Sequence, residues 1–359
     1  MVSVIICTYN GEKYIRQCME SVVNQTIGLG DMEIIIVDDA STDATVEILK
    51  EYEKQYPEHI CLILREKNSL NTMEVNRNTA VCYASGDYIL FLDQDDWYEP
   101  DAAEVLVGLM EEDMHLDYIE YGVQYVDIAG KQLKLKGGES GNFFVFEIEN
   151  EQMRKDLVKR GILPGLASVW NKIYRRQFLE KNQIWHNDGE KRSGFSDNYF
   201  SGMLVMYCSK IGKLERPMIH YRNYMGSWSH SATPDSKRQF ERCKAGIAFW
   251  EECEKRGLMD GKREMAEYVF VRIFLLKTFW KFLLNYEQIP FEMLQFCQRE
   301  MRSRGLDIGR NQIMRERPEM ILLATVARAE WTPEFLIFLR KHMMEQLREK
   351  KISRSLLFL

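Results

Sequence analysis

The chain has 359 residues, of which 45% are hydrophobic and 12% aromatic, so its length predicts two or three domains with substantial cores. The formal net charge of −6 conceals an uneven distribution, because residues 1–150 contain 10 Lys and Arg against 29 Asp and Glu, whereas residues 151–359 contain 38 against 25. An acidic half is a poor host for a phosphate ligand unless a cation accompanies it, and we expect no nucleic-acid partner. The start MVSVIICTYN lacks the basic and long apolar regions of a secretion signal, and the eight cysteines form no Cys-x-x-Cys pair, so we expect a cytoplasmic protein.

Short apolar runs and helical periodicity alternate along the first 130 residues. The apolar runs predict strands at residues 3–9, 33–39, 60–66, 87–93 and 117–127. The first four runs are nearly continuous, which is typical of strands buried on both faces of a parallel sheet. Helical periodicity predicts helices at residues 12–25, 43–52, 74–84 and 101–111. We expect Thr42 to cap the second helix, and the alternation predicts an α/β fold with an open, mostly parallel sheet.

Polar side chains follow three of these strands at the point where each strand ends. The first strand ends in CTYNG, the second in DDASTD and the fourth in DQDD. In open α/β sheets, ligands bind beyond the carboxyl ends of the strands. Helix capping alone does not account for Asp38 beside Asp39, or for Asp93 near Asp95, because close carboxylates repel unless a cation or a hydrogen-bonded ligand compensates. The pattern therefore predicts a site for a polar ligand.

The kind of ligand follows from motifs that the chain lacks. It has neither a G-x-G-x-x-G after the first strand nor a G-x-x-x-x-G-K-[ST] motif, which disfavours the nicotinamide and P-loop types of nucleotide site. Mg²⁺ and Mn²⁺ bind oxygen ligands, and Mg²⁺ commonly bridges one or two carboxylates to the phosphates of a ligand. We therefore interpret the acidic residues 93–96 as half of a metal site whose other half is a diphosphate.

Several ordered motifs resemble the N-terminal half of the family 2 glycosyltransferases, the GT-A group that uses nucleotide-diphosphate sugars. They are VSVIICTYNGEKYIRQCMESVVNQT, EIIIVDDASTDATVEIL, the RN pair at 77–78 and ASGDYILFLDQDDWYEPD. The looser landmarks VWNKIYRRQFLEKNQI, FSDNYF and IHYRNYMGSWS extend the resemblance to about residue 230. The resemblance implies a Rossmann-like GT-A fold, followed here by a mainly helical region. It also implies a hexosyltransferase-like enzyme of bacterial cell-surface polysaccharide synthesis.

The resemblance also implies roles for residues of the donor site. Asp95 falls on the metal ligand, for Mn²⁺ or Mg²⁺, and Asp93 falls on a contact to the ribose or the metal shell; Asp96 is a further candidate. The remaining positions are the base-stacking Tyr9 with its neighbours Thr8 and Asn10, the base- and ribose-reading Asp39 with Asp38, Gln94 inside the acidic motif, and Arg77 with Asn78 near the donor sugar and diphosphate. Stacking plus one carboxylate suits uracil, so a UDP-sugar is the expected donor.

Asp197 falls on the catalytic base of the family. Transfer with inversion needs a base that takes the proton of an acceptor hydroxyl. Ser196 stands where Glu is common in the family, and Asp188 and Glu190 are nearby carboxylates that are alternative bases. Two further departures are Cys7, in place of a common Pro, and a missing glycine before the RN pair.

The other half of the chain leaves alternatives open. Trp170 either lines the acceptor cleft or packs in the core. His220 and Arg222, with residues 227–230, either bring cations to the diphosphate or form an ordinary loop. Residues 268–284 are too short and too charged to span a membrane, and form either a core helix or an amphipathic helix on the membrane surface. The C-terminal tail has the same character, and a membrane contact would favour a lipid-linked glycan as acceptor over a soluble glycan.

We expect a GT-A domain at residues 1–235, with a nucleotide-sugar half (1–125) and an acceptor half carrying the base (126–235). Residues 236–359 then form a helical region that contacts the acceptor, the membrane or a partner. The expected location is the cytoplasm, with the inner face of the plasma membrane as a further option. Two alternatives to the enzyme are a non-catalytic module that binds a nucleotide sugar or glycan, and a sugar nucleotidyltransferase.

Overall fold

The computed structural model describes residues 1–69, 73–136, 138, 140–163, 168–185, 196–223, 236–286, 288–349 and 351. Contacts divide these residues into two compact units. The first unit contains residues 1–149, 168–185 and 207–223, and the second contains residues 150–163 and 196–206 together with the described residues after 235. The predicted division at residue 235 stays a prediction about functional domains, although by contacts residues 150–163 and 196–206 belong to the second unit.

The described part of the first unit contains one mixed sheet of ten strands. The strands are β1 Val2–Thr8, β2 Met32–Asp38, β3 Ile60–Leu64, β4 Tyr88–Asp93, β5 Trp97–Tyr98, β6 Tyr118–Val126, β7 Gln132–Lys136, β8 Phe143–Glu147, β9 Lys172–Arg175 and β10 Lys210–Arg222. Their order is β3-β2-β1-β4-β9-β6-β10-β5, with β7 paired to β6 and β8 paired to β10. β3, β2, β1 and β4 are mutually parallel, and so are β6 and β10.

Helices cover this sheet and build the second unit. They are α1 Ile15–Val23, α2 Thr45–Gln55, α3 Met73–Tyr83, α4 Ala102–Glu112, α5 Glu151–Lys159, α6 Arg176–Lys181, α7 Ser196–Tyr207, α8 Ser236–Lys255, α9 Met259–Phe270, α10 Lys277–Leu284, α11 Phe291–Ser303, α12 Pro318–Ala327 and α13 Pro333–Arg348. A π-helical segment, Val271–Leu276, joins α9 to α10.

The predicted strands and helices of the first 126 residues are confirmed to within a few residues. The reason is that the apolar runs are buried: β1 is buried along its whole length, and α1 buries the predicted stripe from Ile15 to Val23. The prediction that Thr42 caps the second helix was wrong. α2 begins at Thr45, whose backbone N–H and hydroxyl donate to Asp43 at 3.0 and 2.5 Å, and Glu12 accepts the N–H of Ala44 at 2.9 Å.

The second unit has an aromatic and aliphatic core. The described side chains of residues 268–271 and 279–284 are buried except Lys281, which favours the interpretation of this segment as a core helix over a helix on the membrane surface. α7 packs closely on this core, because a Cβ at Gly202 would lie 2.9 Å from the ring of Phe249 and 3.0 Å from Val269. Among the described helices, none is long and apolar enough to cross a membrane.

Candidate functional site

The carboxyl ends of β1 and β4 are cross-linked by one amide side chain. Gln94 Oε1 accepts hydrogen bonds from the hydroxyl of Thr8 at 2.5 Å and from the N–H of Tyr9 at 2.9 Å, and Gln94 Nε2 donates to the carbonyl of Tyr9 at 3.2 Å. Gly11 makes room for this amide, because a Cβ there would lie 2.5 Å from Gln94 Oε1. The side chain of Tyr9 remains 39% exposed above the link, where an aromatic ring is available for stacking.

The ends of β1 and β2 are joined by a second set of hydrogen bonds. Asp38 is buried and accepts the N–H and hydroxyl of Ser41 at 2.9 and 2.5 Å. Asn10, in the left-handed region at φ 49°, donates its N–H to Ser41 Oγ at 2.9 Å and accepts the N–H of Thr42 at 2.8 Å. Asn tolerates this conformation better than most residues. Asp38 and Asn10 therefore shape the loop after β2.

Asp39 has a different partner, which the sequence did not reveal. Its carboxylate is 2% exposed, and it accepts the N–H of Ser69 at 3.0 and 3.1 Å and the Ser69 hydroxyl at 2.7 Å. Arg65 lies 3.5 Å from the same carboxylate. Both partners follow β3. Polar ends were predicted from the sequence for β1, β2 and β4 but not for β3. The polar run REKNS after β3 was the available signal.

Residues 93–96 form a tight turn after β4, closed by the N–H of Asp96 donating to the carbonyl of Asp93 at 3.0 Å. From α3, the buried Arg77 donates to Asp93 Oδ1 at 3.0 Å, which brings Arg77 to the acidic motif. Asn78 follows it on α3 and is half-buried. We call residues 93–96 the acidic turn.

Asp96 lies at the buried side of the acidic turn. Burial, followed by the negative charges of Asp95 and Asp93, raises the pKa of Asp96 well above its ordinary value. Its Oδ2 has no hydrogen-bond partner among the described residues. A buried, unpartnered oxygen beside two further carboxylates is electrostatically unfavourable by itself, and a bound cation would relieve the repulsion.

The acidic turn fits a divalent cation that is held mainly by a ligand. In the described part of the chain, no three His, Cys, Asp or Glu side chains are grouped to hold a metal ion. Mg²⁺ commonly takes only one or two carboxylates and completes its shell with waters and substrate phosphates. Asp93 and Asp95, both half-buried at the turn, match that donor set.

His220 and Arg222 lie in β10, and their side chains point to protein partners. His220 stacks on Trp97 at 4.8 Å and its Nε2 lies 2.7 Å from Glu99 Oε1. Arg222 is 4% exposed and reaches the acidic turn. Neither side chain is therefore an exposed cation. Residues 227–230, which the sequence-based hypothesis grouped with them as cations for the diphosphate, lie outside the described residues.

Asp197 lies in the first turn of α7, in the second unit. The far end of α7 is held by cations, because Arg154 donates to the carbonyl of Val205 at 2.8 Å and Lys262 to that of Met206 at 2.6 Å. Donors at the last carbonyls of a helix satisfy its unpaired groups and its dipole. The alternative bases Asp188 and Glu190 lie outside the described residues.

Trp170 belongs to the core of the first unit. It is 8% exposed, stacks on Tyr221 at 4.6 Å, and its carbonyl accepts the hydroxyl of Tyr121 at 2.8 Å. Beyond it, the buried Lys172 lies 3.4 Å from Glu120, which also lies 3.3 Å from Lys213. These contacts favour the core interpretation of the VWNK segment.

This sheet, with its polar strand ends and acidic turn, has the architecture of the GT-A glycosyltransferases. The solved structure of S. aureus TarS is similar at a TM-score of 0.61 and 18% identity, over 91% of this chain and 54% of that chain. A structure of TarS 1–349 in complex with UDP-GlcNAc is similar at a TM-score of 0.52 and 18% identity, over 91% of each chain. At this identity the likeness shows the fold.

The chain belongs to glycosyl transferase family 2, whose family model matches residues 3–182, half of the chain. It is therefore a glycosyltransferase, and the predicted family, fold class and enzyme class are confirmed. EpsH of Bacillus subtilis (strain 168) is 29% identical over 270 residues, which cover 74% of this chain and 71% of EpsH. The poly(ribitol-phosphate) beta-glucosyltransferase of Bacillus spizizenii is 45% identical over 183 residues, which cover 51% of this chain and only 26% of that protein.

Proposed function

We propose that this chain transfers a sugar, with inversion, from a UDP-sugar to a hydroxyl of a glycan or lipid-linked glycan, with Mn²⁺ or Mg²⁺ as cofactor. The observation that carries the proposal is the acidic turn, which is tied to the end of β1 through Gln94 and to α3 through the ion pair between Asp93 and Arg77. An anionic diphosphate needs cations in an acidic site. The turn supplies the metal ligands and Arg77 supplies a fixed positive charge.

The residues at the ends of β1 and β2 support a uracil base. Tyr9 offers an exposed ring, and Asp39 offers carboxylate oxygens next to the hydroxyl of Ser69. Uracil presents one N–H donor between two carbonyl acceptors, which a carboxylate and a hydroxyl can match. The similar TarS 1–349 has been solved in complex with UDP and with UDP-GlcNAc, which supports the same choice here.

In the proposed reaction, the carboxylate of Asp197 takes the proton of the acceptor hydroxyl as that oxygen bonds to the anomeric carbon of the donor sugar. The bond from the anomeric carbon to the diphosphate breaks on the opposite face, and UDP leaves with the electron pair. Arg77 stabilises negative charge at the site through its ion pair with Asp93. A bound divalent cation would supply Lewis-acid stabilisation of the leaving diphosphate.

The acceptor is proposed from the relatives. The B. spizizenii relative is a poly(ribitol-phosphate) beta-glucosyltransferase, and an E. coli relative, 40% identical over 130 residues, is a chondroitin synthase. Both relatives act on polymers, which supports a glycan or lipid-linked glycan as the acceptor here. We propose a cytoplasmic location for this chain, with peripheral membrane contact at its C-terminal end, where Ile337 and Phe338 of α13 are 56% and 67% exposed near Lys341. Residues 352–359 of the tail lie outside the described residues.

The first experiment is a thermal-shift panel of UDP-, GDP-, CDP- and dTDP-sugars, each with Mn²⁺, with Mg²⁺ and with a chelator. A ligand at 100 times its Kd stabilises a protein by about 2.7 kcal/mol, which corresponds to a shift of several degrees. We expect a metal-dependent shift with UDP-sugars that disappears in Asp95→Ala and persists in Asp87→Ala. Asp87 is a suitable control because its side chain is 71% exposed before β4, at the opposite end of that strand. A wild-type protein that shifts with none of the nucleotides would refute the donor site.

The second experiment separates binding from transfer. Asp197→Asn should lower the transfer rate by about 10²–10⁴-fold, because a carboxylate base contributes that much, while the UDP-dependent thermal shift stays. Asp188→Asn and Glu190→Gln should leave the rate within a few-fold. Normal turnover in Asp197→Asn would show that another carboxylate is the base.

A further inference from the structure

The acidic turn has a structural requirement that its own residues do not meet. It places three carboxylates within four positions, and Arg77 pairs with the first of them, Asp93. Like charges at this spacing repel, so a turn that is to present them in one geometry needs support from outside. The support on the side of Asp95 and Asp96 comes from the last residue of β10.

Arg222 contacts the acidic turn through both its backbone and its side chain. Its N–H donates to Asp96 Oδ1 at 2.8 Å, and its Nε donates to the carbonyl of Asp95 at 3.0 Å. The two terminal nitrogens donate elsewhere, to the carbonyl of Ile128 at 2.7 Å and to Gln17 Oε1 at 2.6 Å. Every nitrogen of the guanidinium therefore has a protein acceptor.

The guanidinium also lies close to two aromatic rings. Its Cζ lies 4.7 Å from the ring centre of Tyr14, which directly precedes α1, and 4.8 Å from the ring centre of Trp97. Trp97 in turn stacks on His220. Cation–π contacts of this kind are strongest when the cation is desolvated, and Arg222 is 4% exposed. A cation that is enclosed in this way is a rigid support and a poor phosphate ligand.

The chain path explains why one residue can have this effect. β5 follows the acidic turn directly and pairs with β10, with Trp97 opposite His220. Arg222 lies two residues beyond His220 and donates hydrogen bonds back to the acidic turn. The position of the two carboxylates is therefore set by β10, a strand that is remote from them in sequence.

We infer that Arg222 is a positioning residue, which holds the acidic turn in the geometry that binds the metal and does not itself contact the diphosphate. The inference rests on the proposed function, since it assumes that the turn binds a metal together with UDP. It differs from the sequence-based hypothesis, in which Arg222 brought a cation to the diphosphate.

The test measures the affinity of the intact chain for uridine, UMP and UDP by calorimetry, each with Mn²⁺ and with a chelator, in wild type, Arg222→Met, Arg222→Lys and the control Arg216→Met. Arg216 is a suitable control because it also lies on β10, but it is 39% exposed and pairs with Asp101 at 2.7 Å. We expect Arg222→Met to weaken UDP binding by about 10-fold or more with Mn²⁺ and by less than about 3-fold with the chelator. Arg222→Lys should also weaken it, because a lysine cannot reproduce the planar fork.

A second variant covers the case in which Arg222→Met does not fold. Gln17→Ala removes one acceptor of the guanidinium from an exposed residue, and it should weaken Mn²⁺-dependent UDP binding by about 2- to 5-fold with an unchanged melting temperature.

Three results would overturn the inference. UDP affinity in Arg222→Met equal to wild type would exclude the role. Equal weakening with and without Mn²⁺, with uridine unaffected, would identify Arg222 as a direct phosphate ligand. No Mn²⁺-dependent binding of UDP to wild type would overturn the proposed function together with this inference, whereas the first two results leave that function intact.

Discussion

Replacing Gly11 with alanine tests the link between the ends of β1 and β4. A Cβ at this position would lie 2.5 Å from Gln94 Oε1, 2.9 Å from Gln94 Cδ and 3.0 Å from Thr8 Oγ1. The amide must then move, and it loses the hydrogen bonds from Thr8 and from the N–H of Tyr9. Each bond contributes about 1 kcal/mol, and residual crowding adds about 1 kcal/mol, so we expect Gly11→Ala to lower the free energy of unfolding by about 2–3 kcal/mol. The measurement is urea denaturation followed by circular dichroism.

The displaced Gln94 sits inside the acidic turn, so Gly11→Ala should also weaken Mn²⁺-dependent UDP binding, by about 10-fold. Gln94→Ala removes the clashing atom and the same two hydrogen bonds, so the double variant Gly11→Ala/Gln94→Ala should show a favourable coupling of about 2–3 kcal/mol. Gly30→Ala is the matched control, because nothing lies within 4 Å of a Cβ there. Wild-type stability in Gly11→Ala, or additive effects in the double variant, would refute the reasoning.

Two further substitutions test the sheet. Lys172→Met should lower the free energy of unfolding by about 3 kcal/mol, because it leaves Glu120 buried with one ammonium fewer, and Glu120→Gln in the same chain should recover part of the loss. Urea denaturation of Lys172→Met and of the double variant Lys172→Met/Glu120→Gln measures both losses, and an equal loss of unfolding free energy in the two would contradict the prediction. Burial by itself would raise the pKa of Glu33, but hydrogen bonds from Ser3, Ser85 and Gly86 outweigh it and lower the pKa below its ordinary 4.5. A lowered folded-state pKa contributes stability above the ordinary pKa that is lost as the pH falls through the folded value, so Glu33→Gln should destabilise the chain by about 1–3 kcal/mol at pH 7 and progressively less below pH 4.5. A difference between wild type and variant that does not change between pH 7 and pH 3 would contradict the assignment.

Much of the first unit could be predicted because its signals are local. Buried parallel strands need continuous apolar runs, so β1, β2 and β4 were predicted to within one or two residues. Polar residues at the strand ends identified the edge of the sheet where the candidate site lies. The contacts of Thr8, Tyr9, Asp93 and Arg77 agree with a single site at that edge. Their roles in binding and catalysis stay predictions.

What could not be predicted depends on contacts between distant segments. The pairing of Asp39 with Ser69 joins two loops, and nothing in either loop specifies the other. Arg222 was expected near the diphosphate because a sequence shows a charge without its acceptors, and three of its partners lie before residue 130. Asp197 was assigned to the first domain because it precedes residue 235, although the contacts of α7 through Gly202 lie in the second unit.

The insertion of β9 into the sheet has a consequence for how the chain is made. β4 and β6 do not pair with each other along this sheet, because residues 172–175 lie between them, with Tyr88 opposite Arg175 and Tyr118 opposite Tyr174. During synthesis from the N-terminus, both strands leave the ribosome well before their shared neighbour does. Open strand edges are templates for wrong pairing, and pairings between distant segments form slowly. A nascent chain of about 130 residues therefore carries two open edges, and fragments that end before β9 should depend on chaperones or aggregate.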